Sequence, residues 1–121
     1  MVEKYLIDTN AVIDYLTNKL PNDTCIIIDK NQSQISVITR MELLGWYNAS
    51  SEQIKVLEDF VRTSMIFNLE ESVILRTIEI RKSVKIKLPD AIIAATALIN
   101  DSILITKNKD DFKRVNGLKL L

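Results

Sequence analysis

The chain has 121 residues, 47% of them hydrophobic and 26% charged, and this composition is typical of one ordinary globular domain, here spanning residues 1–121. Histidine is absent, which excludes Ser-His-Asp triads and histidine metal sites, and the single cysteine excludes an internal disulfide and a cysteine-based zinc cluster. Sixteen basic and sixteen acidic residues give a formal net charge of zero, so attraction to a nucleic acid must come from a local patch or a bound metal.

Short apolar runs alternate with helical patterns along the chain. KYLID at 4–8 is a buried-strand pattern, and the residues that follow it have helical spacing. Ser50 and Gln53 form a capping-box pattern at the start of a later helix. The predicted strands are 4–8, 34–39, 65–69, 102–106 and 118–121, and the predicted helices are 9–18, 40–48, 50–64, 70–84 and 90–99. This alternation predicts a three-layer α/β/α sandwich with a mostly parallel, five-stranded sheet.

The helix predicted over 90–99 is apolar nearly all round, which is expected of a helix packed deeply against a sheet. Its apolar run is about half as long as a membrane span requires. No basic-then-apolar signal segment opens the chain, so we expect a cytoplasmic protein without membrane association.

Acidic residues follow several of these strands. Asp8 ends the first strand, Glu42 lies in the first turn after the second, Asp90 begins the apolar helix, and Asp110 and Asp111 follow the fourth strand. Ligands of open α/β sheets bind beyond the carboxyl ends of the strands, so we expect these acids to converge on one cleft.

Each acid also has a local structural explanation. Asp8 is placed to cap the helix that starts near Thr9, Thr39-x-x-Glu42 is a second capping-box pattern, Asp90 complements a helix dipole, and Asp111 suits a turn. Taken together, however, clustered carboxylates repel one another and raise their pKa values unless a cation neutralises them. Mg²⁺ or Mn²⁺ prefers oxygen ligands, and a carboxylate-only site suits phosphodiester hydrolysis without histidine.

Four motifs extend this interpretation to a family. LIDTN at 6–10, ISVITRMELLG at 35–45, LPDAIIAATAL at 88–98 and LITKNKDDF at 104–112 resemble the PIN domain, specifically the VapC-type toxins of bacterial toxin–antitoxin pairs. The resemblance spans essentially the whole chain and implies a Mg²⁺- or Mn²⁺-dependent endoribonuclease that inhibits translation by cutting tRNA, rRNA or mRNA.

The resemblance also implies roles for individual residues. Asp8, Glu42 and Asp90 match the first three acids of the family as metal ligands and catalytic residues. Many PIN domains carry the fourth acid where this chain has Asn108, whereas the toxin pattern places it at Asp111, which we predict as the fourth ligand, with Asn108 as a neutral partner.

Further residues beside these acids are candidates for supporting roles. Hydroxyl and amide groups that could orient carboxylates or metal-bound waters are Thr9, Asn10, Thr39 and Thr106, although helix caps and turns use the same residues. Basic residues that could contact RNA phosphates are Arg40, Lys107, Lys109, Lys113 and Arg114. A VapC-like toxin further implies a homodimer and an antitoxin whose C-terminal segment lies in a groove, for which Trp46 and Tyr47, on the helix carrying Glu42, are candidate lining residues.

Two alternatives remain open. The mixed position at Asn108 leaves room for a non-catalytic module of the same fold that binds RNA or a protein partner. An aspartate phosphoryl-transfer domain also places an acid after its first strand, but a phosphatase of that kind prefers another Asp close by, where this chain has Thr9 and Asn10.

Overall fold

The computed structural model describes residues 2–121 and contains a parallel sheet between two layers of helices. The elements in chain order are β1 (Tyr5–Ile7), α1 (Thr9–Leu16), α2 (Asn22–Lys30), β2 (Gln34–Ser36), α3 (Val37–Leu44), α4 (Ser51–Arg62), β3 (Met65–Phe67), α5 (Glu71–Ser83), α6 (Leu88–Ile99), β4 (Ile103–Ile105) and α7 (Lys109–Phe112). The strand order is β3-β2-β1-β4, and each neighbouring pair is parallel. The predicted α/β class is therefore confirmed, while helix α2 occupies a segment for which we predicted no element.

Alternate residues of each strand point to opposite faces of the sheet and build two separate cores. Leu6 of β1 and its partner Leu104 of β4 pack with α5, α6 and α7 on one face. Ile7 and Ile105, the next pair along the same strands, pack with α1, α3 and α4 on the other face. Two buried faces explain why β1, β3 and β4 are continuously apolar, whereas β2 carries the buried polar residues Gln34 and Ser36.

Helix α6 is the most deeply buried helix of the sandwich. Every residue from Ala91 to Ala97 is buried, as its all-round apolar sequence predicts. The helix starts at Leu88, two residues before the predicted start, and Pro89 occupies its first turn, where a missing backbone N–H costs no hydrogen bond. Asp90 is consequently the third residue of a rigid helix.

The prediction of a fifth strand at 118–121 is wrong. The segment contacts the sheet through a single parallel bridge between Leu120 and Leu104. Two backbone hydrogen bonds hold it there, from Leu104 N to the Lys119 carbonyl at 2.8 Å and from Leu121 N to the Leu104 carbonyl at 3.0 Å. One residue in register is too little pairing to extend a ladder, so the sheet of the described chain has four strands.

Helix caps fix several element boundaries. The strand predicted over 34–39 ends at Ser36, whose hydroxyl accepts the Ile38 N–H at 3.1 Å and caps α3. The capping box predicted at Thr39 and Glu42 is therefore wrong, because both residues lie inside α3. The predicted box of Ser50 and Gln53 at the start of α4 is present with both of its hydrogen bonds. None of the helices in residues 2–121 has the length and apolar character that crossing a bilayer requires.

Candidate functional site

The buried carboxylate of Asp8 marks the centre of the candidate site, where β1 passes into α1. The residue is 4% exposed, and its Oδ1 accepts the Ala11 N–H at 2.8 Å, so it caps α1 as the sequence predicts. Its Oδ2 accepts a hydrogen bond from the Thr106 hydroxyl, which directly follows β4. Both carboxylate oxygens are thus held in place by neighbouring elements.

The environment of Asp8 disfavours its charged form. Burial raises the pKa of this carboxyl most strongly, and the negative charges of Asp90 and Asp14 raise it further. The hydrogen bonds from Thr106 and Ala11 lower the pKa and offset only part of that effect. A buried anion with a raised pKa gains stability from any cation that binds beside it.

Asp90 links the other acids to this centre. Partial burial raises the pKa of Asp90 most, the charges of Asp111 and Glu42 raise it further, and the nearby Lys87 lowers it. Because Asp90 also raises the pKa of Asp8, all four predicted acids are electrostatically coupled through it. Asp8 directly follows β1, and Asp90 and Asp111 line one cleft at the same edge of the sheet. Glu42 joins them through its hydrogen bond with Thr9, next to Asp8.

Glu42 is oriented by hydroxyl groups on α1 and α3. The Thr9 hydroxyl lies 2.6 Å from Glu42 Oε1 and 3.0 Å from the hydroxyl of Thr39. A carboxylate only accepts, so the Thr9 proton goes to Glu42 and the buried Thr39 hydroxyl donates to Thr9. Asn10, the remaining candidate on α1, is exposed in the first turn of that helix.

The segment after β4 places Asp110 and Asp111 in different environments. Asn108 N donates to the Thr106 hydroxyl at 3.0 Å, which ties the start of α7 to the residue that contacts Asp8. Asp110 points to solvent with 93% of its side chain exposed and pairs with Lys113 at 3.1 Å. Asp111 instead lines a cleft together with Asp90, and the buried Phe112 anchors the short helix.

The donor set suits a hard divalent cation in its chemistry, because every candidate ligand offers carboxylate oxygen. Within residues 2–121, no group of three or more Asp, Glu or Cys side chains stands close enough together to hold one ion as placed. Glu42 and Asp111 are exposed, whereas Asp8 is buried and Asp90 is half-buried.

The predicted RNA-contact residues occupy different environments. Lys107 forms a 2.8 Å ion pair with the largely buried Asp14, and Lys113 pairs with Asp110. Lys109 lines a cavity beside Lys107 and α2, and Arg40 is exposed on α3. Only Arg114 of this set reaches the cleft that contains Asp90 and Asp111.

That cleft has further basic residues that we did not predict. It encloses about 410 Å³, and we call it the basic cleft; its lining residues are Arg81, Lys85, Ile86, Lys87, Asp90, Asp111 and Arg114. The signal was present in the sequence as the basic run RKSVKIK at 81–87, directly before the LPD motif. A basic run at the end of a helix is usually solvated surface, so the run alone does not predict a binding site.

An apolar groove lies on the other side of the molecule, between α1 and α4. It encloses about 280 Å³ and is lined by Ile13, Leu16, Thr17, Trp46, Glu52, Gln53, Val56 and Leu57. Helix α3 ends at Leu44. The prediction that Trp46 and Tyr47 lie on this helix is therefore wrong, because both residues follow it in the chain. Gly45 caps α3 where a Cβ atom would approach the Met41 carbonyl oxygen to 2.8 Å, so only glycine fits there without rearrangement. Trp46 lines the groove, and Tyr47 is 87% exposed.

Comparisons with known proteins agree with this architecture. The family model described as PIN domain matches residues 5–118. The chain is 30% identical to Ribonuclease VapC1 of Methanocaldococcus jannaschii over 124 aligned residues, which cover 97% of this chain and 86% of that protein.

Two solved structures have similar folds. A toxin–antitoxin complex from Klebsiella pneumoniae contains a chain with 32% identity and a TM-score of 0.77, and the match covers 95% of each chain. DNA-bound VapBC from Salmonella typhimurium contains a chain with 25% identity and a TM-score of 0.84, and the match covers 99% of this chain and 98% of that one.

Proposed function

The chain belongs to the PIN domain family, and from that premise we propose that it is a divalent-metal-dependent endoribonuclease and the toxin of a VapBC-type toxin–antitoxin pair. It hydrolyses phosphodiester bonds of tRNA, rRNA or mRNA in the cytoplasm and thereby inhibits translation. One observation carries this proposal: acids from four separate segments meet at one edge of the sheet, where Glu42 is bonded to Thr9 beside Asp8 and where Asp90 and Asp111 line one cleft. Ordinary helix caps and turns do not require that convergence.

Asp8, Glu42, Asp90 and Asp111 are the residues that would hold Mg²⁺ or Mn²⁺. When bound, such a cation supplies Lewis-acid activation of water and neutralises charge on the phosphodiester. The chain's own contribution is to present these carboxylates from four separate segments at one edge of the sheet. The pKa values of Asp8 and Asp90 are raised chiefly by burial and further by neighbouring acids, and a bound cation would offset both effects.

Hydroxyl groups keep those carboxylates in position. Thr106 fixes one oxygen of Asp8, and the pair of Thr39 and Thr9 fixes one oxygen of Glu42. Hydrogen-bonded partners of this kind orient the ligands of metal sites and limit their motion. Asn108 is bound to Thr106 through its backbone N–H and acts as a neutral neighbour of the site.

The apolar groove is the proposed seat of the antitoxin. Trp46 is 42% exposed and Val56 is 49% exposed, and both line this concave surface. An amphipathic segment that docks by its apolar face buries such side chains and needs no charged partner. The known complexes of similar chains with antitoxins support this partner, and a homodimer is part of the same proposal.

The test is cleavage of purified RNA by the wild-type protein and by Asp90→Asn, with and without Mn²⁺. We expect cleavage only by the wild type and only with the metal, with both proteins folded by circular dichroism. Asp101→Asn is the matched control, because Asp101 is a surface acid just before β4, at the opposite end of the strands, where it pairs with Lys119 at 3.2 Å. Full activity of folded Asp90→Asn would overturn the proposal.

The non-catalytic alternative has one observation in its favour, namely that the placed carboxylates of residues 2–121 do not form a ready-made metal cluster. Calorimetric titration with Mn²⁺ separates the two functions. Heat of binding that disappears in Asp8→Asn supports the nuclease, whereas no binding by the wild type favours a module that only binds RNA or a protein.

A further inference from the structure

The basic cleft joins the candidate catalytic acids to four cations. Arg81 lies near the end of α5, Lys85 and Lys87 in the loop before α6, and Arg114 after α7. Asp90 and Asp111 line the same cleft, so a ligand bound in this cleft contacts the candidate site directly.

These cations share the cleft with Asp90 and Asp111, and the charge of Lys87 lowers the pKa of Asp90. In the described part of the chain, none of the four makes an ion pair with a carboxylate within 4.0 Å. Two other basic residues near the acids differ, because Lys107 is paired with Asp14 at 2.8 Å and Lys113 with Asp110 at 3.1 Å. Four basic residues without an ion pair in residues 2–121 therefore line the basic cleft, whereas Lys109 lines a separate cavity.

Arg114 is held in place for such a role. Its Nη2 donates to the backbone carbonyl of Lys85 at 2.8 Å, which links the segment after α7 to the loop before α6. A guanidinium has five N–H donors, so this bond fixes its plane and leaves donors for phosphate oxygens. The same bond keeps Lys85 and Arg114 together in the lining of the cleft.

The chemistry of the lining indicates which part of a nucleic acid binds. Ile86 is the apolar residue among the seven that line the cleft, and none of them is aromatic. Proteins that bind bases of a single strand stack them on aromatic rings, whereas Lys and Arg contact phosphates without reading sequence. The protein has no net charge, so a local patch of this kind must supply the attraction.

We propose that the basic cleft binds the phosphate backbone of the RNA strand on one side of the bond to be cut, and that it does so without base recognition. This inference rests on the proposed function, since it assigns the path of the substrate into that site. Lys85, Lys87, Arg81 and Arg114 neutralise successive phosphates, and the strand leads from them past Asp90 and Asp111. Sequence preference, where it exists, then comes from the other flank.

The test measures binding separately from cleavage. Asp90→Asn serves as the parent, and its affinity for two fluorescein-labelled single-stranded RNAs of unrelated sequence is followed by fluorescence anisotropy in EDTA over a range of salt concentrations. The variant adds Lys85→Ala and Lys87→Ala to this parent. The matched control adds Lys30→Ala and Lys55→Ala, two exposed lysines on α2 and α4.

Loss of two phosphate contacts is expected to reduce the slope of log K against log salt by about 1.4, at about 0.7 per contact in single strands. The reduction should be the same for both RNAs, and the control should keep the slope of the parent. An unchanged slope in the Lys85/Lys87 variant overturns the cleft assignment and leaves the nuclease proposal intact. A loss confined to one RNA overturns backbone recognition. Failure of the parent to bind either RNA overturns the cleft together with RNA as the substrate.

A charge-reversed variant, Lys85→Glu with Lys87→Glu, keeps the test sharp. Both residues are exposed, so neither substitution disturbs the core, and circular dichroism checks that the fold is retained. Reversal must weaken binding more than truncation does if the contacts are electrostatic, and equal affinities contradict the proposal.

Discussion

The Thr9 hydroxyl donates a hydrogen bond to Glu42 Oε1 over 2.6 Å, and it joins two residues that lie 33 positions apart in sequence. Thr9 begins α1 directly after Asp8, and Glu42 lies on α3, so this bond connects the first two acids of the candidate site. The buried Thr39 holds the Thr9 hydroxyl in the required orientation. The result is an exposed glutamate whose carboxylate is nonetheless positioned.

Thr9→Val should weaken this arrangement without disturbing the fold. We expect a loss of about 10- to 100-fold in RNA cleavage and in Mn²⁺ affinity, the range that follows removal of a group that orients a metal ligand. Thr9→Ser keeps the hydroxyl and is the matched control. Calorimetric Mn²⁺ affinity separates positioning from general destabilisation, and equal defects in the Val and Ser variants would contradict the assigned role.

The metal-free protein should be stabilised by Asp90→Asn at neutral pH. Burial and the charges of Asp111 and Glu42 raise the pKa of Asp90 above its ordinary 3.8, so the folded state binds this proton more tightly than the unfolded chain. The free energy of unfolding therefore falls as pH rises from 3.8 through the raised folded value, and the wild type carries that loss at pH 7.

Thermal unfolding in EDTA checks this sign. The Tm of Asp90→Asn should exceed that of the wild type at pH 7, and the difference should vanish near the ordinary pKa. Excess Mn²⁺ should reverse the order, since a ligand at 100 times its Kd stabilises the folded state by about 2.7 kcal/mol. A lower Tm for the variant in EDTA at pH 7 would refute the prediction.

Parallel substitutions at Asp110 and Asp111 can show which of the two is the fourth metal ligand. Asp111 lines the cleft with Asp90 and raises its pKa, whereas the Asp110 side chain is 93% exposed and paired with Lys113. We expect Asp111→Asn to lower RNA cleavage by at least about tenfold, as loss of a group that orients or ligates the metal does. Asp110→Asn should retain wild-type activity, and the reverse pattern would reassign the ligand.

The apolar groove predicts a separable defect in partner binding. Val56→Glu introduces a charge into the groove, and Trp46→Ala removes its largest side chain, a truncation that costs about 2 kcal/mol, or about 30-fold in Kd, at a central contact. Affinity for the cognate antitoxin, measured by calorimetry, should fall while RNA cleavage is retained. Leu69→Glu, at an apolar residue 43% exposed outside the groove, is the control and should bind normally.

Much of the site could be predicted from sequence because its acids follow strands. Asp8 is recognisable as the acid that ends an apolar run, and Asp90 as the charge at the start of an all-apolar helix. Parallel strands bring their carboxyl ends to one edge, so strand order was not needed to predict that these acids meet. The cap formed by Asp8 was also readable, because a capping bond is local.

Features that depend on tertiary context could not be read in the same way. The start of α3 is set by Ser36, and the sequence offered Thr39 as an equally good cap. The prediction of a fifth strand was wrong because strand pairing requires several residues in register, and in the described segment only Leu120 pairs with Leu104. The basic cleft forms where the loop before α6 faces the segment after α7, and a basic run alone does not reveal what lies opposite it.

The two carboxylate oxygens of Asp8 accept different hydrogen bonds, and this difference has an evolutionary consequence. Oδ1 caps α1 and Oδ2 accepts from Thr106, so an asparagine keeps the cap and meets the Thr106 hydroxyl with an amide, yet it removes the charge. Asp and Asn codons differ by one base, so a cell that expresses a harmful form of this protein has a one-step escape that preserves the fold. Sequencing of survivors after forced expression should recover Asp8→Asn among the full-length alleles, and its absence from a large collection would contradict this separation of duties.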